Sequence, residues 1–284
     1  MAKKLNNTCM NEFDPDALDE VIAVRNIINS IKSSIKREIV PISRSLGRVV
    51  ANDIQSTLDI PSFKNSAMDG YAVNIKMLKK FEYILIQKGV SLAGKPYNNK
   101  LKDNETVKVM TGSVIPDNSD AIIMKEMVNI KGKKIYFPKN IKKNQNIRMI
   151  GEDIKKKSII IKKGEIINHS HLGILSSCGI KNISVIVKPI VSFFSTGDEL
   201  ISINNKLKKG MIYDSNRYIL HGLLERLPVV IKDMGVVKDN EKALIKKLKV
   251  CCQKSDIIIT TGGVSVGDAD YIKSALAKLG KIDF

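Results

Sequence analysis

The sequence predicts a mixed α/β protein of two or three domains, and three observations support this. The 284 residues exceed one ordinary compact domain, which has roughly 100–150 residues. Hydrophobic residues make up 43% of the chain but aromatic residues only 5%, so the cores must consist of Ile, Val and Leu, which favour strands. From Ile190 onward, strand-like runs alternate with helical patterns, as in a parallel α/β sheet.

The N-terminal part is predicted to be helical. Apolar residues recur at nearly helical spacing over residues 17–39, after a helix-start pattern at 14–16, which predicts an amphipathic helix. A second short helix is predicted over 43–50, and a Pro-containing loop over 58–64.

Short apolar runs separated by Gly, Pro, Asn and Asp predict a small β-rich domain over residues 71–138. Its predicted strands are 83–86, 106–110, 121–124, 127–130 and 134–137. Farther along, we expect a strand at 158–161, a helix at 169–177 that ends at Gly179, and a strand at 183–187. The C-terminal part should alternate strands at 190–194, 229–234 and 257–260 with helices at 215–227, 241–252 and 271–279.

The net charge of +18 does not by itself indicate a nucleic-acid partner. The lysines lie in turns between apolar runs, with few aromatic residues to stack on bases, so we interpret them as a compositional bias that produces solvated faces. A nucleic-acid binder is the alternative, and salt-dependent binding to DNA or RNA is its test.

No segment of the sequence is typical of a membrane or secreted protein. No run approaches ~20 apolar residues, and polar residues interrupt the N-terminal segment where a signal peptide would be apolar. Since no C-x-x-C pair occurs, the four cysteines are predicted to be reduced; they are Cys9, Cys178, Cys251 and Cys252. We therefore expect a cytoplasmic protein without a membrane or nucleic-acid partner.

The strongest local signal is a Gly-rich turn, T-T-G-G-V-S-V-G-D-A-D at 260–270, between an apolar strand and a helix. Its backbone N–H groups and the following helix N-terminus suit an anion. The hydroxyls of Thr260 and Ser265 suit a phosphate, and Asp270 suits a metal bound to that phosphate. The turn has neither the P-loop pattern nor G-x-G-x-x-G, and a plain tight turn is the alternative.

A second signal, F-S-T-G-D-E-L at 194–200, follows another strand of the same region. Ligands collect at the carboxyl ends of strands in open α/β sheets, where Asp198 and Glu199 could hold Mg²⁺ or polarise a ligand. A solvated acidic loop is the alternative.

The polar cluster at 214–216 precedes a helix and could simply cap it. The loop at 61–73 and the short turns at 110–113 and 151–153 do not reveal a ligand, and His169 and His171 should point apart.

Six of these segments together resemble the molybdopterin molybdenumtransferase family. They occur in the family's order as S-A-M-D-G-Y-A-V at 66–73, M-T-G at 110–112, I-R-x-x-G-E-D at 147–153, F-S-T-G-D-E-L at 194–200, I-Y-D-S-N-R at 212–217 and T-G-G-V-S-V-G-x-A-D at 261–270. The similarity runs from about residue 15 to the end of the chain. Because six motifs occur in the family's order, the resemblance to this family is highly specific.

The resemblance implies the domain organisation and the reaction. A discontinuous α+β domain, 1–54 plus 141–187, would help form an elongated homodimer. It would be followed by a β-rich insert, 55–140, and a parallel α/β molybdopterin-binding domain from 188 to 284. The substrates would be adenylylated molybdopterin and molybdate; with Mg²⁺ present, AMP leaves and molybdenum joins the dithiolene. The molybdopterin adenylyltransferase would be a possible contact.

The resemblance also implies roles for individual residues. The catalytic residues would be Asp69, Thr111, Asp153, Glu199, Asp239 and Asp270. Residues that bind the phosphate-bearing pterin would be Thr196, Gly197, Asp214, Asn216, Gly262, Gly263, Ser265 and Gly267. Mg²⁺ would be held by Asp198, Glu199 and Asp270. Asp69 and Thr111 would reach across the dimer toward the third domain of the other subunit.

The sequence departs from the family pattern at its C-terminal end. The family continues with a K-P-G-K-P stretch, a P-G-N-P turn and a C-terminal β domain, and the printed sequence contains none of them. We therefore expect a C-terminally truncated member with an incomplete third domain. A molybdopterin-binding or scaffold protein without turnover is the alternative. The related adenylyltransferase fits less well, because it lacks the N-terminal 187 residues.

Overall fold

The computed structural model describes residues 19–31, 36–262 and 271–282, and within them six helices and seventeen strands. The helices are α1 (Glu20–Ser30), α2 (Ile75–Lys80), α3 (His169–Ser177), α4 (Ser215–Glu225), α5 (Glu241–Lys254) and α6 (Tyr271–Leu279). The first nine strands are β1 (Arg37–Pro41), β2 (Ile54–Gln55), β3 (Asn65–Ser66), β4 (Gly70–Val73), β5 (Ile84–Ser91), β6 (Glu105–Val109), β7 (Ala121–Met124), β8 (Asn129–Lys131) and β9 (Lys134–Tyr136). The others are β10 (Ile147–Arg148), β11 (Ile159–Ile161), β12 (Asn182–Ile186), β13 (Ile190–Thr196), β14 (Leu200–Ile201), β15 (Ile212–Tyr213), β16 (Val230–Val237) and β17 (Ile257–Thr261). Among these six helices, none has the length and hydropathy that crossing a membrane requires.

The chain divides into two compact units, Met1–Lys36 and Arg37–Phe284. In the first, α1 begins after Asp19, whose carboxylate accepts a hydrogen bond from the Val21 N–H at 2.9 Å. None of its side chains is buried. The predicted helix over 17–39 is too long, because residues 37–39 belong to β1, where cross-strand pairing overrides the helical spacing.

Antiparallel pairing joins distant parts of the second unit, since β1 lies beside β12 and β2 beside β11. The core beside these pairs consists of Val40, Val50, Ile161, Ile167, Leu175, Ile183 and Val185. The predicted short helix over 43–50 is wrong. Only a 3₁₀ turn, Ile42–Arg44, forms, and Val49 and Val50 instead form β-bridges with Ile166 and Val185.

A six-stranded sheet in the order β7-β4-β6-β5-β9-β8 forms the β-rich region. One core cluster comprises Tyr71, Val73, Leu78, Leu85, Ala121, Ile123, Ile135 and Phe137, and a second comprises Ala72, Leu101, Val107, Val109, Ile115 and Ile122. The predicted strands are present with shifted ends, but the sequence analysis missed β4 and α2. All four residues of β4 are buried, so its sequence lacks the polar alternation that identifies a half-exposed strand.

The C-terminal region is a parallel sheet in the order β16-β13-β17, which confirms the predicted strand–helix alternation and the α/β class. Leu224 of α4 packs with Val191 and Phe193, whereas α5 and α6 pack with Phe194. Because the three strands are parallel, their carboxyl ends lie at one edge of the sheet. That edge carries the segments at 196–199, 237–239 and 261–262.

Three cysteines are free thiols in this fold, and one histidine caps a helix. Cys178 and Cys251 are buried and Cys252 is exposed, and all three are free thiols, as predicted for reduced cysteines. Cys9 lies outside the described residues. His171 completes a capping box at the start of α3, with its Nδ1 accepting from the Asn168 N–H at 3.3 Å.

Candidate functional site

The first site motif is a turn at the carboxyl end of β13, where Gly197 follows Thr196. The Gly197 N–H donates to the Val237 carbonyl oxygen at 3.2 Å, which ties the turn to the end of β16. A Cβ added at Gly197 would lie 2.7 Å from both carboxylate oxygens of Glu199. The Glu199 side chain therefore folds back over the turn and would have to move if Gly197 carried a side chain.

The second motif lies against the first one. Gly262 follows β17 with φ +87°, and a Cβ there would lie 2.5 Å from the Thr196 carbonyl oxygen and 3.0 Å from its Oγ1. The Thr196 hydroxyl also donates to the Thr261 carbonyl oxygen at 3.4 Å. The two glycine turns, which the sequence presents as separate signals, therefore pack against each other at one edge of the sheet.

Three carboxylates lie close enough at this edge to influence one another. Burial raises the pKa of the Asp239 carboxyl, and the negative charges of Asp198 and Glu199 raise it further, while a hydrogen bond from Thr196 opposes the rise. Within the described ranges, no three acidic, His or Cys side chains are positioned to hold one metal ion. The edge is rich in negative charge, and a bound cation would relieve that charge.

A cavity of about 330 Å³ lies beside Asp239. Its lining residues come from the segment that leads into α5 and from the first residue of α6. They are Asp239, Asn240, Glu241, Lys242 and Tyr271. Glu241 joins the two helices, since its carboxylate accepts from Lys278 Nζ at 2.6 Å and from the Ser274 hydroxyl. Sequence reasoning missed Tyr271 and Glu241, because the contact between α5 and α6 has no local pattern.

Asp214 is the N-cap of α4, as the simpler interpretation of that cluster predicted. Its Oδ1 accepts from the Arg217 N–H at 3.2 Å. Asp214 is only 2% exposed, and within the described part of the chain its Oδ2 has no hydrogen-bond partner. Asn216 lies exposed on the first turn of the same helix.

A second group of predicted residues lies on the loops beside β4. Asp69 Oδ1 accepts from the Thr111 N–H at 2.9 Å and from the Thr111 hydroxyl at 2.8 Å. Both bonds lower the pKa of Asp69, the backbone bond more than the hydroxyl bond. The Lys125 ammonium group, 3.5 Å from Oδ2, lowers it further. Lys125 was not among the predicted site residues. The only sequence signal for it is that a charged residue stands directly after the apolar strand β7.

The third predicted acid, Asp153, is held by Arg148. The guanidinium group pairs with Asp153 and lies 3.7 Å from Glu152, and the hydrogen bond to Asp153 raises the pKa of Arg148. Arg148 belongs to β10, which pairs with β3 of the Asp69 loop, and the Ala67 N–H donates to the Asn146 carbonyl oxygen at 2.9 Å. The motifs at 66–73 and 147–153 are therefore neighbours.

Most predicted residues within the described ranges form two groups, and Asp214 and Asn216 lie at the start of α4. One contains Asp69, Thr111 and Asp153, and the other contains Thr196, Gly197, Asp198, Glu199, Asp239 and Gly262. The remaining residues of the Gly-rich motif lie outside the described ranges; these are Gly263, Ser265, Gly267 and Asp270.

Comparison with known proteins shows the family of the chain. The family model described as "MoeA N-terminal region (domain I and II)" matches residues 17–179, and the one described as "Probable molybdopterin binding domain" matches 192–283. Proteins named molybdopterin molybdenumtransferase are similar in Haemophilus influenzae, with 39% identity over 87% of this chain, and in Staphylococcus aureus (strain Mu50), with 34% identity over 88%. The chain spans 61% and 60% of the length of these two relatives.

A solved structure shows the same fold. The molybdopterin biosynthesis MoeA protein from Pyrococcus horikoshii matches with a TM-score of 0.82 and 31% identity, over 94% of this chain and 68% of that one. The N-terminal family model alone matches more than half of the chain. The chain therefore belongs to the MoeA family, whose curated members include molybdopterin molybdenumtransferases.

Proposed function

We propose that this chain is a transferase of molybdenum cofactor biosynthesis that acts on adenylylated molybdopterin and molybdate. In the proposed reaction, water hydrolyses the phosphoanhydride of adenylylated molybdopterin with Mg²⁺ present, AMP leaves, the terminal phosphate stays on molybdopterin, and molybdenum joins the dithiolene. The observation that carries this proposal is the contact between Gly262 and Thr196 at the carboxyl edge of the parallel sheet. Because the Gly262 backbone lies directly against Thr196, both glycine turns stand together at the carboxyl edge of the sheet, where ligands collect in open α/β sheets.

The residues at this edge supply the functions that the reaction requires. Thr196, Gly197, Asp214, Asn216 and Gly262, together with the rest of the Gly-rich motif, would bind the phosphate-bearing pterin. The Asp239 carboxyl holds a proton at higher pH than an ordinary aspartate, because it is partly buried among like charges. Asp239 would act at this edge as one of the catalytic residues, as the resemblance to the family implies.

The acidic residues suit Mg²⁺ in their chemistry. Bound Mg²⁺ neutralises charge on phosphoanhydride oxygens. Asp198 and Glu199 are exposed carboxylates whose negative charges raise the pKa of Asp239. Asp198, Glu199 and Asp270 would offer three carboxylates to the ion, of which Mg²⁺ needs only one or two because substrate phosphates and water complete its shell.

The quaternary arrangement is part of the same proposal. We infer a homodimer in which Asp69 and Thr111 face the third domain of the second subunit. The support from this chain is that the Asp69 and Thr111 side chains lie on surface loops and remain partly exposed. The domain division at 1–54 plus 141–187, 55–140 and 188–284 and the contact with the molybdopterin adenylyltransferase belong to this proposal, as does the cytoplasmic location.

An AMP-release assay tests the proposal. The 284-residue chain is incubated with adenylylated molybdopterin, molybdate and MgCl₂, and AMP is measured by chromatography. We expect molybdate-dependent release, reduced about 10²–10³-fold in Glu199→Ala, the scale of losing an electrostatic group at a reacting centre. Asp103→Ala is the control, since Asp103 is an exposed carboxylate paired only with Lys80 within the described chain.

Each outcome separates the candidate functions. Equal release from wild type and Glu199→Ala shows that Glu199 has no role in the reaction. Binding of adenylylated molybdopterin without AMP release identifies a molybdopterin-binding or scaffold protein without turnover. No binding of adenylylated molybdopterin at all refutes the proposed function.

A further inference from the structure

Thr111 directs both of its hydrogen-bond donors to a single oxygen of Asp69. The N–H and the hydroxyl lie 2.9 and 2.8 Å from Oδ1. The turn that carries Thr111 is itself held in place, because the Gly112 N–H donates to the Ser66 carbonyl oxygen at 2.8 Å. The hydroxyl proton of Thr111 is therefore engaged within the protein and is not available to a ligand.

The other oxygen, Oδ2, has a different environment. Lys125 Nζ lies 3.5 Å away, which is a loose contact, and the Asp69 side chain keeps about 30% of its surface exposed. The Lys125 N–H also donates to the Asp69 carbonyl oxygen at 3.1 Å, so the lysine is anchored beside the carboxylate. A carboxylate oxygen of Glu126 also lies 3.9 Å from the Lys125 ammonium group. Oδ2 thus keeps accepting capacity that the protein leaves unused.

We propose that Asp69 contacts the ligand through an ionised Oδ2, and that Thr111 and Lys125 are positioning residues that act through Asp69. The inference rests on the proposed function and names the part of the substrate that this group recognises. An ionised carboxylate accepts hydrogen bonds and repels oxyanions. Asp69 therefore recognises a hydrogen-bond donor, such as the ring N–H or amino group of a pterin, and not a phosphate or molybdate oxygen.

The charge balance favours this assignment over binding of an oxyanion by Lys125. The ammonium group is already shared between Asp69 and Glu126, so two carboxylates face one cation. A tetrahedral oxyanion placed here would meet net negative charge. A donor group meets an oriented acceptor instead, whose geometry two hydrogen bonds from Thr111 fix before the ligand arrives.

An NMR titration of the full 284-residue chain tests the positioning role. The Asp69 carboxyl is followed by ¹³C NMR in wild type, Thr111→Val, Thr111→Ser and Lys125→Met. Thr111→Val keeps the shape and the N–H but removes the hydroxyl, so the pKa of Asp69 should rise. Thr111→Ser keeps the hydroxyl and should leave this pKa near the wild-type value.

The lysine has its own matched control. Lys125→Met should raise the pKa of Asp69 less than Thr111→Val does, since the ammonium contact is long and partly solvated. Lys131→Met, which removes an exposed lysine over the Tyr136 ring, should not change it. An unchanged pKa in Thr111→Val, or equal rises in Thr111→Val and Thr111→Ser, overturns the inference.

A double-mutant cycle tests whether Thr111 acts through Asp69. In the AMP-release assay, Thr111→Val alone should lose about 10- to 100-fold, the scale of one hydrogen bond to a charged group. In an Asp69→Asn background, adding Thr111→Val should lower the rate of AMP release little further. Losses that multiply mean that Thr111 acts independently, which refutes the inference. A wild type that releases no AMP contradicts the proposed function instead, and the NMR titration then decides the positioning role by itself.

Discussion

The substitution Gly262→Ala probes the contact on which the proposed site depends. Gly262 has φ +87°, a left-handed conformation that L side chains rarely adopt. The added methyl group would also lie 2.5 Å from the Thr196 carbonyl oxygen, which belongs to the backbone of the central strand β13. Because that oxygen is not at the end of a flexible side chain, either the turn or the strand must move.

The expected loss of stability has two contributions. The left-handed conformation costs an L residue about 1–2 kcal/mol, and forcing a methyl group into a packed contact costs about 1–3 kcal/mol. Their sum, roughly 2–5 kcal/mol, corresponds to a decrease of about 5–15 °C in Tm for a protein of this size. Gly210→Ala is the matched control, since Gly210 has φ +81° but nothing within 4 Å of its added Cβ. It should show the conformational cost alone.

Differential scanning calorimetry of the two variants, with hydrogen exchange of β13 as a local readout, measures this difference. We expect Gly262→Ala to unfold at least several degrees below Gly210→Ala and to exchange faster at residues 193–196. Weaker binding of AMP should accompany the change. Equal Tm values and equal exchange rates refute the close approach of the two glycine turns.

Three further predictions concern charges and backbone contacts. Because the pKa of Asp239 is raised, the folded chain binds its proton more tightly than the unfolded chain, and stability falls as pH rises above the ordinary aspartate pKa. Asp239→Asn should therefore stabilise the protein by ~0.5 kcal/mol at pH 7 and not below about pH 4, as measured by urea unfolding. Glu241→Gln removes the charge pair with Lys278 and should lower the urea midpoint slightly, a difference that 1 M NaCl shrinks. Gly70→Ala would place a Cβ 2.1 Å from the Ile123 carbonyl oxygen, and it should lower the yield of folded protein or cost more than ~3 kcal/mol.

Each of these three has a result that contradicts it. A stability gain from Asp239→Asn that persists at pH 3.5 rules out the linkage to this carboxyl. A salt-independent effect of Glu241→Gln points to packing rather than charge. A Gly70→Ala variant with wild-type Tm means that β4 and β7 do not approach as closely as described.

Elements with strong local signals were predicted well. The helix α3 starts at its Asn168 cap and ends before Gly179, and α6 has the predicted bounds. Prediction failed where tertiary contacts overrode local preference. Residues 37–39 have helical spacing but pair with β12, and β4 carries no polar alternation because both of its faces are buried.

The candidate residues were identified by motif order, and the contacts between them came from the structure. The register of β13 and β17 pairs Ser195 with Thr261, which brings Gly262 against Thr196. No pattern in either segment predicts that register, because it results from packing of the helices and strands around a common core.

The sequence by itself determined the α/β class, the family and the set of polar residues, because hydrophobic spacing, turn residues and short motifs are local properties. The tertiary structure alone decided which of these residues touch. It showed that Thr111 donates twice to one oxygen of Asp69, that Lys125 lies beside the other, and that Asp239 is partly buried near two carboxylates. Hydrogen bonds and pKa shifts depend on distances between groups far apart in the chain, and only the packing of the folded chain sets those distances.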